Sequence, residues 1–299
     1  MKKTLKKLLC LITAITLMFG FVPTAAITSH AASAKKLTLY TGEAVYVTDY
    51  YDVKSCSSSK KNVVSVKRDS QNKKHANIIA KKAGKATVTV KTANKTSKYV
   101  ITVKDTSKQF NCSMSYITNG SSKSILLKAA NKSTQAFDTV EVRYTLKDSS
   151  GTVLNEDSTK IYSVAMKKSG YTEIIYDRNL EVDLNQSYAE AVAVDRNLNK
   201  KSVDLTKQVN VKHSGDPIAS GSSTELDVTL TSKNKNKNIS ANVVNYIFIY
   251  DSSDTLIYFT KRSAYLKGGA TDTTVSKSYL SSQATYDHYK VETTAYGYK

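Results

Sequence analysis

The sequence predicts an all-β protein made of tandem Ig-like β-sandwich domains that follow an N-terminal signal peptide. Three observations support this fold class. Apolar and polar residues alternate in short runs, Tyr, Thr, Val and Ser are abundant, and no helical period is sustained over three turns after the first 34 residues. Short strands that follow one another closely, with turns between them, are typical of a sandwich.

The N-terminus has the three parts of a secretory signal peptide, which we assign to residues 1–34. Four lysines precede a 15-residue apolar run from Leu8 to Val22, and small residues end the segment. The run is shorter than the roughly 20 residues that span a bilayer, although an uncleaved anchor is the alternative. We expect cleavage after Ala34, or after Ala32. The mature chain then has no second apolar run and no LPxTG-type motif, so we expect a secreted protein without a membrane span.

The first domain, residues 35–104, is the basic part of the chain. It carries 16 Lys and Arg against four acids, a net charge of +12, whereas residues 106–212 carry +3 and residues 213–299 carry +1. Inside this domain, Lys81–Val90 predicts a turn at Gly84 followed by a half-buried strand. Ala86, Val88 and Val90 would lie on one face of that strand and polar residues on the other.

The motifs of residues 35–104 resemble those of the group 2 bacterial Ig-like domain, the module of invasin- and intimin-type surface proteins. The matching segments are Leu37–Glu43, Cys56–Val66, Ala80–Val90 and Val100–Val103. The resemblance implies a structural or adhesive module without family-wide catalytic residues. Family members often have Trp at Cys56, so the resemblance also implies a buried Cys56. We expect no disulfide between Cys56 and Cys112, because they fall in different predicted domains.

The remainder of the chain contains an internal repeat with an offset of 103 residues. Asn131-Lys132 and the turn that begins at Asp148 recur as Asn234-Lys235 and the turn that begins at Asp251. Two β-sandwich repeats are therefore predicted, over residues 105–212 and 224–299. The Pro- and Gly/Ser-containing stretch 213–223 is predicted to be a linker. The repeats resemble, more weakly, the FxLYD-type secreted Ig-like domains of Gram-positive bacteria.

Catalytic and metal-binding motifs are not found, so we expect no enzyme activity, cofactor or metal. The chain has no G-x-S-x-G, C-x-x-C or H-E-x-x-H motif, and its three histidines after the signal peptide lie far apart in sequence. Glu181 with Asp183, or Asp251 with Asp254, could contribute to a calcium site. Solvated acids are the favoured interpretation, because calcium requires six or more clustered oxygen ligands.

Basic residues in the predicted turns of the first domain are the candidate binding site. A concentration of positive charge attracts polyanions, but a lysine-rich surface that only aids solubility is the alternative. No nucleic-acid recognition motif accompanies it. The candidate residues for polyanion binding are Lys60, Lys61, Lys67, Arg68, Lys73, Lys74, Lys81, Lys82 and Lys85.

The favoured hypothesis is a non-enzymatic adhesion or scaffolding protein at the cell surface, secreted or held noncovalently at the cell wall. Its first domain would contact anionic cell-wall polymers or extracellular glycans, and host or neighbouring-cell surface proteins are further partners to consider. The alternative is a soluble secreted protein that binds a glycan or peptide through the tyrosine-rich last repeat. That repeat contains Tyr246, Tyr250, Tyr258, Tyr265, Tyr279, Tyr286, Tyr289, Tyr296 and Tyr298.

Overall fold

A computed structural model describes residues 26–28, 34–177, 179–220, 223–281 and 285–299. Strands dominate these residues, and the predicted all-β fold with several separate sheets is confirmed. Short 3-10 helices occur at Ser107–Gln109 and Thr206–Gln208. Within the described ranges, no helix is long and apolar enough to cross a membrane. The chain forms two compact units, Met1–Lys104 and Asp105–Lys299.

The first unit consists of two four-stranded sheets. One has the strand order β1-β3-β6-β5 and the other has the order β2-β8-β7-β4. β2 lies parallel to β8, with Lys35 opposite Tyr99 and Tyr40 opposite Lys104. The strands are β1 (Ala26–Thr28), β2 (Lys35–Tyr40), β3 (Ala44–Thr48), β4 (Val53–Ser58), β5 (Val64–Arg68), β6 (His75–Ala80), β7 (Gly84–Thr92) and β8 (Thr96–Lys104).

The alternation predicted after Gly84 is present in β7. Ala86, Val88 and Val90 are buried, whereas the residues between them are exposed or half-buried. Gly84 has a φ of +149°, and a Cβ there would meet Val63 Cγ2 at 3.2 Å. Glycine therefore allows the chain to turn closely past Val63 and enter β7.

Cys56 differs from its predicted position in the core. It lies in β4, where Val53 is the buried residue and Cys56 is only half-buried. β4 is an edge strand of its sheet, paired with β7 alone, so its middle is less enclosed than that of a central strand. Cys56 and Cys112 are both free thiols.

The predicted signal peptide lies largely outside the described residues. Within it, the structure describes only the three-residue strand β1 and Ala34. β1 pairs in parallel with β3. Cleavage after Ala34 would remove this short strand and leave β3 as the edge of its sheet.

The second unit contains two six-stranded halves with the same strand order. In repeat 1, the sheets are β13-β10-β9 and β12-β11-β14; in repeat 2, they are β16-β17-β20 and β15-β21-β18-β19, where β15 is an added short strand. The strands are β9 (Phe110–Asn119), β10 (Ser122–Asn131), β11 (Phe137–Lys147), β12 (Val153–Val164), β13 (Ser169–Ile174), β14 (Tyr188–Asp195), β15 (Ser202–Asp204), β16 (Val209–Ser220), β17 (Ser223–Asn234), β18 (Ala241–Tyr250), β19 (Leu256–Leu266), β20 (Thr271–Leu280) and β21 (His288–Tyr298).

The residues that revealed the repeat have matching structural roles. Asn131 and Asn234 are buried and donate their side-chain amides to backbone carbonyls of two different segments. Asp148 and Asp251 each accept two backbone N–H groups of the following hairpin turn, at 2.9 Å. The two halves therefore fold around the same pair of polar anchors, one at a strand end and one in a hairpin.

The stretch 213–223, predicted as a linker, differs in the structure. Its residues up to Ser220 belong to β16, which pairs with β17 from Val209 opposite Asn234 to Ser220 opposite Ser223. Pro217 is accommodated because β16 is an edge strand, where a missing N–H need not interrupt a ladder on both sides. Residues 213–220 are therefore part of one arm of a long antiparallel strand pair.

The two repeats pack against each other through an apolar layer. β18 is buried on both faces, from Val243 to Ile249. Ile247 and Ile249 contact the core of repeat 2, whereas Tyr246 and Phe248 face repeat 1. The layer between the repeats consists of Ile117, Leu126, Tyr171, Val244, Tyr246, Phe248 and Phe259.

Candidate functional site

All nine basic residues predicted to bind polyanions are exposed. In the part of the chain that the structure describes, none of these nine side chains forms an ion pair. They lie in and around β5, β6 and β7 and in the turns that connect these strands. Their charges are therefore available to an external anion.

One group, the proximal basic cluster, comprises Lys60, Lys61, Lys81, Lys82 and Lys85. Backbone hydrogen bonds tie its two turns together. The N–H groups of Lys81 and Lys82 donate to the carbonyl of Val63 at 2.8 and 3.3 Å. The N–H of Val63 donates to the backbone carbonyl of Lys60 at 3.0 Å. The turn before β5 and the turn before β7 thus hold their lysines at the same end of the sandwich.

A second group, the distal basic cluster, comprises Lys67, Arg68, Lys73 and Lys74. It lies at the hairpin between β5 and β6, where Arg68 is opposite Ala76. The carbonyl of Lys73 accepts from Val53 N–H at 2.8 Å, which fixes the hairpin against the start of β4.

Asp69 organises the turn of the distal basic cluster. Its Oδ1 accepts the N–H groups of Gln71 and Asn72 at 2.8 and 3.0 Å, and its Oδ2 accepts from Asn77 Nδ2 at 3.1 Å. These hydrogen bonds, first those from the backbone of Asn72 and Gln71, lower the pKa of Asp69. The acid in this turn is thus occupied by the turn itself.

Two exposed tyrosines accompany the distal basic cluster and were not predicted. Tyr50 is 73% exposed, and Lys74 Nζ lies 5.3 Å from the centroid of its ring, within cation–π range. Tyr51 packs edge-on against Tyr50 with a centroid distance of 5.1 Å. Two adjacent tyrosines in a polar turn are the sequence signal that could have identified this feature.

The structure divides the predicted site into two clusters. They lie near opposite ends of β5, a strand of five residues that spans about 13 Å at roughly 3.3 Å per residue. β5 is an edge strand, with β6 as its only neighbour. The arrangement is two groups of positive charge near opposite ends of this edge strand, which suits an extended anion better than a compact one.

Two of the four acids in the first unit are withdrawn from the surface. Glu43 is 1% exposed and accepts the N–H of Tyr40 at 2.9 Å. Asp49 is 6% exposed and pairs with Lys95 Nζ at 3.1 Å. Because these carboxylates are buried, the positive charge at the surface of this unit is little offset by exposed acids.

The cysteines and acids considered for catalysis or metal binding lie where they contribute to packing or to turns. Burial raises the pKa of the Cys112 thiol to about 11 and also raises that of Cys56, so neither is an activated nucleophile. Asp251 is engaged in its own hairpin turn. Among the described residues, no group of three or more His, Cys, Asp or Glu could hold a metal ion.

The tyrosines of the last repeat do not form a single aromatic face. Tyr246 and Tyr296 are buried, at 0% and 1% exposure. Tyr265 in β19 and Tyr279 in β20 are well exposed, but these strands belong to different sheets. Tyr250 is half-buried beside repeat 1. The tyrosine-rich composition therefore serves packing at several positions.

No family model matches this chain, and no curated protein matches it. Among solved structures, the chain is similar to the C-terminal globular domain of an oligosaccharyltransferase from Pyrococcus abyssi, with 11% sequence identity and a TM-score of 0.11. The similarity covers 62% of this chain and 43% of that one. A TM-score this low does not indicate a shared fold.

Proposed function

We propose that this chain is a non-enzymatic, exported bacterial protein that adheres to the cell wall or acts as a scaffold there. Its first unit binds anionic cell-wall polymers through the proximal and distal basic clusters. The proposal includes two domain identities. Residues 35–104 would be a group 2 bacterial Ig-like domain, and the repeats would be FxLYD-type domains. Two-sheet packing in the first unit and six-stranded halves in the second support them.

The observation that carries the proposal is that nine exposed cations, without an ion pair to any described residue, form two clusters near opposite ends of β5. Backbone hydrogen bonds fix the turns that hold them, so binding would order only the side-chain ends. A wall polymer with regularly spaced phosphates or carboxylates could contact both clusters at once. Simultaneous contact raises the apparent affinity because the second contact is intramolecular.

A binding role is also supported by the chemistry of the remaining groups. His75 stacks on Tyr46 with a centroid distance of 4.7 Å, and the two thiols have raised pKa values. These groups are used in packing and offer no activated nucleophile beside a base.

Sedimentation of the full mature chain with purified cell walls tests the proposal. In one variant, the four lysines in the turns of the proximal basic cluster, Lys60, Lys61, Lys81 and Lys82, are replaced by Gln. In another variant, all four basic residues of the distal basic cluster are replaced by Gln. Each variant should lose roughly tenfold or more in affinity, and wild-type binding should weaken as salt rises.

The matched control removes four exposed lysines from the second unit, Lys200, Lys201, Lys207 and Lys212, which changes the net charge by the same amount. This control should bind like wild type. If it loses as much affinity as the cluster variants, net charge alone drives binding and the two clusters are not a site. If wild type does not sediment with walls even at low salt, the proposal is wrong.

A further inference from the structure

A cleft of about 380 Å³ opens between the two repeats of the second unit. We propose that this cleft binds a short, neutral oligosaccharide. The site is independent of the basic clusters of the first unit and of the function proposed for them. Its volume is within the range of roughly 300–1,000 Å³ that small-ligand sites occupy.

Repeat 1 supplies a wall with both polar and apolar groups. Ser113, Ser115, Leu126, Lys128 and Tyr171 line it. Register places Ser113 opposite Lys128, Ser115 opposite Leu126, and Lys128 opposite Tyr171, so these residues are neighbours across three strands. The two serines are exposed, which leaves their hydroxyls available to a ligand.

Repeat 2 supplies the aromatic wall. Phe248, Tyr250 and Leu256 line the cleft, and Tyr171 of repeat 1 packs edge-on against Phe248 with a centroid distance of 5.1 Å. His288 stacks on Tyr250 at 5.1 Å and supports its ring. Phe248 and Tyr171 are themselves buried, so Tyr250, which is half-buried, is the ring of this wall that can contact the apolar C–H side of a sugar ring.

Charged groups that line the cleft can hydrogen-bond to hydroxyls. Glu292 accepts from the Tyr171 hydroxyl at 3.0 Å and from Lys290 Nζ at 2.8 Å, so its carboxylate is held in place. Lys128 Nζ lies 5.8 Å from the centroid of the Tyr171 ring. Both signs of charge occur close together, which favours a neutral ligand with many hydroxyls over a strongly charged one.

The hairpin at the rim distinguishes repeat 2 from repeat 1. Gly151 has a φ of +83° in the first hairpin, whereas the matching residue in the second is Asp254, with a φ of +58°. A residue with a Cβ is less favourable in this conformation than glycine. Asp254 nevertheless lines the cleft, with its side chain 87% exposed and Oδ1 3.6 Å from His288 Nε2. Repeat 2 thus has a carboxylate at the rim of the cleft where the matching residue of repeat 1 is glycine.

Both repeats are needed to build the cleft. The lining comes from β9, β10 and β13 on one side and from β18, β19, β21 and the Asp254 turn on the other. The ligand site is therefore a property of the pair and differs from a site on the tyrosine-rich repeat alone.

An array of neutral oligosaccharides, probed with the full mature chain, tests this inference. The array is read in about 1 M NaCl, where the Debye length is roughly 3 Å and binding of polyanions by the first unit is suppressed. The best oligosaccharide is then titrated by calorimetry. Two variants alter the cleft from opposite sides: Tyr250→Ala removes an aromatic face, and Ser115→Tyr fills the space from repeat 1.

We expect each cleft variant to lose roughly tenfold or more in affinity, equivalent to about 1.4 kcal/mol. Tyr265→Ala and Ser158→Tyr are the controls, because both residues are exposed on strands of the second unit and neither lines the cleft. They should bind like wild type. Ser115→Tyr replaces an exposed residue, so it provides a test even if Tyr250→Ala does not fold.

Three results would overturn the inference. The first is an array on which wild type binds no neutral oligosaccharide. The second is binding that both cleft variants retain. The third is competition in which a peptide, and no oligosaccharide, occupies the cleft. None of these results would alter the sedimentation of the chain with cell walls, so the two proposals fail separately.

Discussion

The hydroxyl of Tyr171 in repeat 1 donates a 3.0 Å hydrogen bond to Oε2 of Glu292 in repeat 2. The Tyr171 ring also packs against Tyr246 and Phe248, with centroid distances of 4.9 and 5.1 Å. One side chain therefore joins the repeats through an apolar contact and a charge-assisted hydrogen bond. The two repeats are held as one body by this layer, which makes their interface a determinant of stability.

Truncation of Leu126 should destabilise the whole second unit. Leu126 is 6% exposed and packs in the layer between the repeats. We expect Leu126→Ala to lower the free energy of unfolding by about 2–5 kcal/mol, because it leaves a cavity in a closely packed layer. Urea denaturation measures this change. Val275→Ala, at a site that is 49% exposed, should change stability by no more than about 0.5 kcal/mol.

If Leu126→Ala matches Val275→Ala, the layer does not contribute to folding. A second transition that appears only in Leu126→Ala would show that the repeats can unfold separately once their contact is weakened.

The hydrogen bonds to Glu292 should make stability depend on pH. Burial raises the pKa of Glu292, but hydrogen bonds from Lys290 and Tyr171 outweigh this, and its pKa is below the ordinary value of 4.5. A lowered pKa contributes stability that is present above about pH 4.5 and is lost as the pH falls through the folded-state pKa. We expect the difference in unfolding free energy between wild type and Glu292→Gln to shrink over that window.

Urea denaturation at a series of pH values measures this difference. Glu181→Gln, a change at an exposed acid, is the control and should follow wild type at every pH. A difference between wild type and Glu292→Gln that stays constant down to about pH 3 would contradict the assignment.

The two buried asparagines should each contribute substantially to stability. Asn131 Nδ2 donates to the carbonyls of Gln135 and Ala165 at 2.8 and 3.1 Å, and Asn234 makes equivalent contacts in repeat 2. Alanine at either position would remove the donor to these buried carbonyls, at a cost of about 1–3 kcal/mol. Thermal and urea unfolding of Asn131→Ala and Asn234→Ala should both show this loss.

Asn94→Ala, at an exposed position in the first unit, is the control for the asparagine variants. It should leave stability within about 0.5 kcal/mol of wild type. Neutral effects at both buried sites would mean that the carbonyls find other donors, and that the two asparagines are not anchors of the repeat.

Exchanging the matched turn residues should change stability in opposite directions. Asp254→Gly replaces a residue of positive φ with glycine, and we expect the free energy of unfolding to rise by about 1 kcal/mol. Gly151→Asp imposes the same strain and should lower the free energy of unfolding by about as much. The exposed contact between Asp254 and His288 contributes little to the balance. Melting temperatures of the two variants measure both effects.

The same Asp254→Gly variant should bind the oligosaccharide less well, because it removes a carboxylate from the rim of the cleft. A stability gain with reduced binding would link the strained residue to function. Loss of stability in Asp254→Gly would show that the side chain stabilises this turn more than its φ destabilises it.

Sequence spacing predicted the repeat well in part because its aspartate anchor is local. Asp148 and Asp251 hydrogen-bond within their own turns, so each leaves a signal over a few residues. The strand through 213–220 was missed because Pro217 is usually found in turns and loops, and its tolerance here depends on β16 being an edge strand. Edge position is set by tertiary pairing and cannot be read from neighbouring residues.

The sequence contains a weaker signal for the cleft and for the contact between the repeats than for the repeat itself. Val243–Ile249 includes apolar residues on both faces of one strand, a pattern of strands buried on two sides. That pattern shows that a second face is covered but does not identify the covering residues. Leu126 and Tyr171 lie more than 70 residues away in sequence, and only the folded chain brings them to this face.

The parallel pairing of β2 with β8 determines how the first unit would respond to a pulling force. β2 begins the strand pairing of residues 35–104 and β8 ends it, with Lys35–Tyr40 in register against Tyr99–Lys104. Tension applied between Lys35 and Lys104 would slide these strands along each other. The hydrogen bonds between the two strands would then be loaded together in shear. They would have to break at the same time and could not break one after another from one end.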